Sequence, residues 1–237
     1  MKYFNIQALN SSIRRIVDGD VTQEHRTGTV ALGLSRNYFS VDKFAITPEQ
    51  IQGFSNKRPD LAIEKFIPRL DIFRPHCYVE VKSLVNSNFY NIISQLSTTM
   101  VAEIDHIGNI TGNFSVFMIA IKGTKIAIYT YHTFSTLLND YGIQNYNGFI
   151  PLNYFIPLEN LSDFNRNFPL SDAINEAYVR GITFNTNPNV LRNMGAETIP
   201  EFDHPHILDL LNEHHREDIH KMFKYVAEKN ANRLFAD

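Results

Sequence analysis

The sequence predicts an α/β protein in which a central mixed β-sheet is flanked by helices, with a mainly helical C-terminal extension. Three observations carry this. Residues 60–64 and 76–82 alternate apolar and polar positions with a period of two, which sends successive side chains to opposite faces of a strand. Residues 8–17 and 88–104 instead repeat apolar residues every three or four positions, the helical period. The strand–strand–helix–strand order that follows from residue 60 onward suits a mixed sheet covered by helices.

Taken in order, residues 8–17 read as a helix with Leu9, Ile13, Ile16 and Val17 apolar. Residues 29–34 and 38–46 are candidate strands ahead of the two alternating segments. Ser87 is placed to cap a helix over 88–104, where Phe89, Ile92, Ile93, Leu96, Met100 and Ile104 share a stripe. Residues 113–121 form a buried strand, Lys122-Gly123-Thr124 turns it, and residues 125–131 return with Ile126, Ile128 and Tyr129. Beyond this, 133–141 reads as a short helix, and the Asn-, Tyr-, Phe- and Pro-rich stretch 145–158 has room for an edge strand at 154–158. A helix starts at Ser171 with Ile174, Ala177 and Tyr178 inward, and 183–188 is a loop. The last helix is expected over 206–229, with Leu208, Leu211, His215, Ile219, Met222, Phe223 and Val226 along one stripe. This divides the chain into a core, residues 1–135, and an extension packed on it, residues 136–237.

A chain of 237 residues, 43% of them hydrophobic and with net charge −3, is expected to be a soluble globular protein with a substantial core. The charge argues against a protein that coats nucleic acid electrostatically, but not against one that needs positive charge only locally. No segment is apolar enough to span a bilayer, and the first residues lack a secretory apolar region. The single cysteine, Cys77, excludes an internal disulfide and a cysteine-cluster metal site, and suits a reducing, cytoplasmic setting. Five histidines crowd the end of the chain (His204, His206, His214, His215 and His220), but His214 and His220 miss the i, i+4 spacing of helical zinc ligands. Solvated histidines on a packed helix are the preferred account. The many Phe and Tyr residues across 129–184 are assigned to the core ahead of base-stacking platforms.

The chemistry lies in the alternating segments. Glu80 and Lys82 emerge on one strand face, and Asp60 joins them if the two segments pair side by side. Pro59 is tolerated where a strand starts. Two carboxylates with open positions for water and phosphate suit Mg²⁺ or Mn²⁺, an ion that acidifies its bound water and offsets charge developing on a phosphate. Lys82 beside them is placed to position the nucleophile and stabilise the transition state. The plain alternative is a surface hairpin with an exposed salt bridge. Lys57 and Arg58 precede Asp60, and Lys65, Arg69 and Arg74 lie between the two segments; as a group they read as phosphate contacts, though each alone suits a solvated connection.

The pattern Pro59-Asp60 followed by Glu80-Val81-Lys82 resembles the signature of the PD-(D/E)XK nuclease superfamily, whose core is the restriction-endonuclease-like fold, over residues 8–131. The resemblance implies further site residues. Gln95, thirteen residues after Lys82, is similar to a glutamine that many members carry on a helix facing the site. Members also add an acid from a helix ahead of the first motif strand. Glu24 is the first candidate for it and Glu49 the second, each with an alternative as a loop or cap residue. His25 matters because cap-snatching viral endonucleases of this superfamily use an upstream histidine as a metal ligand. The implied activity is Mg²⁺- or Mn²⁺-dependent hydrolysis of phosphodiester bonds, with DNA preferred to RNA and endonuclease preferred to exonuclease. Nucleic acid is then the expected partner, with a homodimer or larger complex left open. The rivals are an RNA endonuclease of cap-snatching type, a nuclease-like fold that serves only for binding or assembly, and a structural protein without a site.

Overall fold

The computed structural model of the chain describes residues 1–18, 24–48, 59–85, 92, 95–96, 115–132, 148–151, 184–185 and 207–229. A 3₁₀ turn at Tyr3–Asn5 leads into helices α1 (Gln7–Asp18) and α2 (Glu24–Tyr38). Strands β1 (Phe44–Pro48), β2 (Leu61–Ile67), β3 (Ile72–Lys82), β4 (Ser115–Lys122), β5 (Lys125–His132), β6 (Gly148–Pro151), β7 (Phe184–Asn185) and β8 (Leu208–Asp209) follow, and helix α3 (Glu213–Glu228) comes after them. The strands form one sheet in the order β1-β2-β3-β4-β5-β6-β7, and β8 pairs with β5. Among the described strand pairs only β3 and β4 run parallel. A parallel pair needs a crossover, and residues 92, 95 and 96 within that connection are helical. The sheet is mixed, as the alternation and segment order predict.

Both faces of the sheet are covered, so β3 and β4 are apolar on both sides. On one face Ile63, Val79, Val81, Ile119 and Ile121 pack against Ile13 of α1, Leu34 of α2 and Phe223 of α3. On the other, Ala62, Tyr78, Met118 and Tyr129 pack with Ile92 and Leu96. The C-terminal segment is thus part of the same sheet and core as the first 135 residues, through β8 and α3.

Several elements differ from expectation. Residues 29–34 are helical, within α2, because Thr27, Val30, Ala31 and Leu34 bury one face against α1 and the sheet. Glu24 in the first turn and Arg36 in the last suit the helix dipole. Gly33 makes the approach of α1 close: a Cβ there would lie 2.9 Å from Leu9 Cδ1. Of the candidate strand 38–46, only the part from Phe44 onward is strand, since Tyr38 still closes α2 and residues 41–43 turn. The last helix begins at Glu213 rather than at 206. Asn212 caps it, accepting from His214 N, while Asp209 Oδ1 accepts from Leu211 N and His215 Nδ1 from Asp209 N. These local bonds offer the backbone a turn in place of another helical turn, and Leu208 joins the sheet instead. Phe184–Asn185, expected as loop, pairs with β6. The elements expected at 133–141, 154–158 and from Ser171 lie outside the described residues.

The β2–β3 hairpin carries a bulge. Ile63 faces Cys77 and Glu64 faces Pro75, so His76 is the extra residue. The bulge turns His76 onto the helical face, among the rings of Phe39, Phe44 and Phe117, where Nε2 donates to the Val226 carbonyl at 2.7 Å. Burial pushes the imidazole down to about 4, against the pull of the Val226 carbonyl.

Candidate active site

The β2–β3 register pairs Leu61 with Val79, which puts Asp60, in the bend just before β2, beside the end of β3. Asp60 Oδ2 accepts from Val81 N at 2.7 Å. One residue on each side of that amide, Glu80 and Lys82 share the opposite face from Val81. Lys82 Nζ donates to Glu80 Oε1 at 2.9 Å and to Glu24 Oε1 at 3.3 Å. The first turn of α2 therefore delivers an acid to a strand-borne lysine 58 positions away in sequence. The four side chains meet at the C-terminal ends of two adjacent parallel strands, where sheets of this kind bind ligands.

The electrostatics are unbalanced. Glu80 is only 3% exposed, and its second oxygen, Oε2, is buried without a hydrogen-bond partner. Burial and the charge of Asp60 push its carboxyl up to about 7, although the Lys82 hydrogen bond and charge pull the other way and Glu24 adds a little. For Lys82, partial burial works against the ammonium, but the bond and charge of Glu80, helped by Asp60 and Glu24, hold its pKa above the ordinary lysine value. Three carboxylates and one ammonium leave an excess of negative charge in a partly dry place.

Asp60 and Glu80 offer the hard oxygen donors a divalent cation takes. The orphaned Glu80 Oε2 is the atom that fits such an ion. Among the described residues no three His, Cys, Asp or Glu side chains are grouped as a cage. Two carboxylates suffice for Mg²⁺ when water and phosphate complete the shell.

Other candidates fall differently. Gln95 is helical and exposed, between Ile92 and Leu96, which pack on the sheet face that carries Glu80 and Lys82. His25 is exposed on α2, next to Glu24. Lys57, Arg58 and Glu49 lie outside the described residues. Lys65, Arg69 and Arg74 do not gather at the site. Lys65 pairs with Arg74 toward the closed end of the hairpin, and at about 3.4 Å per residue they lie more than roughly 15 Å from Asp60. A connection that leaves a strand and returns antiparallel carries its middle away from its ends. Of the described terminal histidines, His215 holds the turn before α3 and His220 Nδ1 is hydrogen-bonded to Tyr38 Oη at 2.7 Å. No sequence pattern singles out Lys122, the register partner of Lys82 at the end of β4.

Among the described residues, no helix is long and apolar enough to cross a membrane. No protein-family model matches the chain, no curated protein matches its sequence, and no solved structure matches its fold.

Proposed function

We propose that this chain is a divalent-cation-dependent nuclease that hydrolyses phosphodiester bonds, acting as an endonuclease on DNA in preference to RNA. The observation that carries the reading is the buried Glu80 carboxylate, half paired with Lys82 and half unpaired, beside Asp60 and Glu24. An unpaired buried carboxylate costs stability, and a scaffold without chemistry has no use for it. Mg²⁺ or Mn²⁺ bound there supplies charge neutralisation at phosphate and a more acidic water. Asp60, fixed by the Val81 amide, holds its carboxylate in place without rotamer search. Lys82 keeps its proton, so its ammonium orients the attacking water and donates to a non-bridging phosphate oxygen as charge grows there. Glu24, half exposed, receives Lys82 when substrate is absent. The cap-snatching alternative needs His25 as a ligand, and its exposed position on α2 gives that reading no support.

The test is incubation of the purified protein with linear, circular and single-stranded DNA and with RNA, with and without Mg²⁺ or Mn²⁺. Cation-dependent cleavage is expected, falling by about a hundredfold or more in Asp60→Ala, Glu80→Ala and Lys82→Ala, with melting temperature unchanged or raised in the two carboxylate variants. A fully active Lys82→Ala variant, or no cleavage of any substrate, defeats the reading.

A further inference from the structure

The closed end of the β2–β3 hairpin reaches past its neighbours in the sheet. Among the described strand pairs, β1 accompanies β2 only as far as Lys65, and β4 accompanies β3 only from Cys77 onward. Residues 66–75 therefore extend as a two-stranded ribbon, with Phe66 opposite Phe73 and Ile67 opposite Ile72. Ile67 is buried on the face that carries the helices. On the other face the Phe66 and Phe73 rings lie 5.2 Å apart. Phe73 is 50% exposed there, and Leu70 at the tip is 57% exposed.

The tip is held in one turn. Leu70 N donates to the Ile67 carbonyl at 3.0 Å, with Pro68 at the second position, where its fixed φ is favoured. Asp71 follows at φ 53°, a conformation that aspartate tolerates better than most residues. A surface already set in one conformation loses little entropy on binding. Two large apolar side chains exposed together on such a turn mark a contact surface.

The charges identify its partner. Leu70 is flanked by Arg69 and Asp71, both exposed. With Glu64, Lys65 and Arg74, half-buried behind the tip, the ribbon end carries three cations against two carboxylates, too small an excess to draw a polyanion. The same pattern is self-complementary. About a two-fold axis through Leu70, Arg69 of one copy faces Asp71 of the other and the reverse, while Leu70 meets its own counterpart.

We propose that the β2–β3 ribbon end is an interface between two copies of this chain, paired about a two-fold axis at Leu70. Leu70 and Phe73 each bring roughly 100 Å² of exposed apolar surface. Two ribbon ends in contact therefore fall short of the total of about 1,200 Å² that a stable interface buries, and the dimer is weak and depends on protein concentration. The interface lies more than roughly 20 Å along β2 from Asp60, so pairing leaves the candidate active site of each copy uncovered. The assignment does not depend on the nuclease reading.

Sedimentation velocity on the full chain, from about 1 to about 500 μM, tests this. The wild type is expected to pass from monomer toward dimer over that range. Leu70→Ser and Phe73→Ser should each weaken association by about tenfold or more. Arg69→Glu sets carboxylates opposite each other and should abolish association within the range. Asp71→Asn, which the left-handed backbone accepts, should weaken it. An equal mixture of these last two variants should associate more tightly than either alone, because Arg69 of the second meets Asp71 of the first. A wild type still monomeric at about 500 μM overturns the inference, and so does a dimer that folded Leu70→Ser and Arg69→Glu variants leave unchanged. Binding of a fluorescent DNA duplex is measured on the same proteins. A monomer whose duplex affinity falls with Arg69→Glu would give the ribbon to nucleic acid and overturn the inference as well.

Discussion

Glu80 sets the pH response of the site. Its carboxyl ionises in the unfolded chain near 4.5 but in the fold only at about 7, chiefly through burial and then Asp60. The folded pKa is the higher one, so the ionised group opposes folding. The cost is absent below about 4.5, grows between 4.5 and 7, and is full above 7. A shift of this size corresponds to on the order of 3 kcal/mol. His76 works in the other direction. Its folded value, about 4, lies below the ordinary 6.5, so its contribution is present above 6.5 and lost as pH falls toward 4. Without added cation, stability is therefore expected to peak between about pH 5 and 6, measured by chemical denaturation across pH. Glu80→Gln should flatten the fall on the alkaline side. At pH 8, Mg²⁺ or Mn²⁺ should raise the melting temperature of the wild type, as a ligand of the native state does, and leave Glu80→Gln nearly unmoved. A loss of stability between pH 6 and 8 as large in Glu80→Gln as in the wild type would contradict the buried, half-unpaired carboxylate.

The elements that aim the site are the β2–β3 hairpin, the first turn of α2 and the β4–β5 turn. The motif strands were legible because alternation survives burial on both faces: Val79 and Val81 mark one side, Tyr78 and Glu80 the other. The bulge at His76 was not read from the alternation, although Pro75 beside it, which lacks a ladder donor, is the residue type that collects at bulges. The turn at Gly123 was legible as a turn, but its role depends on a neighbour. Gly123 has φ of 57°, and a Cβ there would lie 2.7 Å from Leu84 Cβ, two residues beyond Lys82. Gly123→Ala is accordingly expected to cost about 1–3 kcal/mol in denaturant unfolding. Cleavage at a temperature where the variant is folded should also fall, because Leu84 must move and it follows directly on the strand that carries Glu80 and Lys82.

At the scale of the whole molecule the two ends of the chain close one core. Ile219, Met222, Phe223 and Val226 of α3 pack with Ile13 of α1 and Val30 of α2 over β3 and β4, and Val226 supplies the acceptor for His76. Tyr3 adds a bond from its hydroxyl to the Leu210 carbonyl, and Lys2 pairs with Glu217 at 2.8 Å. A chain ending at residue 135 keeps α1 and α2 on that face of the sheet but loses α3, which exposes the apolar surface under it and leaves His76 without its partner. It is expected to fail to fold cooperatively, with no sigmoidal thermal transition in circular dichroism. A cooperative transition in that fragment would show that the first 135 residues form a self-sufficient unit.

The sequence by itself determined the α/β class, the two alternating strands, the helix at α1, the β4–β5 hairpin and the shared strand face of Glu80 and Lys82. Each is written in local periodicity or in residues a few positions apart. Only the tertiary structure decided that residues 29–34 are helical, that Lys65, Arg69 and Arg74 lie away from Asp60, and that Leu208 enters the sheet. It alone brought Glu24 within 3.3 Å of Lys82 and set Lys122 beside it. The reason is physical. A period fixes which side of an element a residue faces. Which elements become neighbours, and in what register, is chosen by burial of apolar surface shared among segments far apart in the chain.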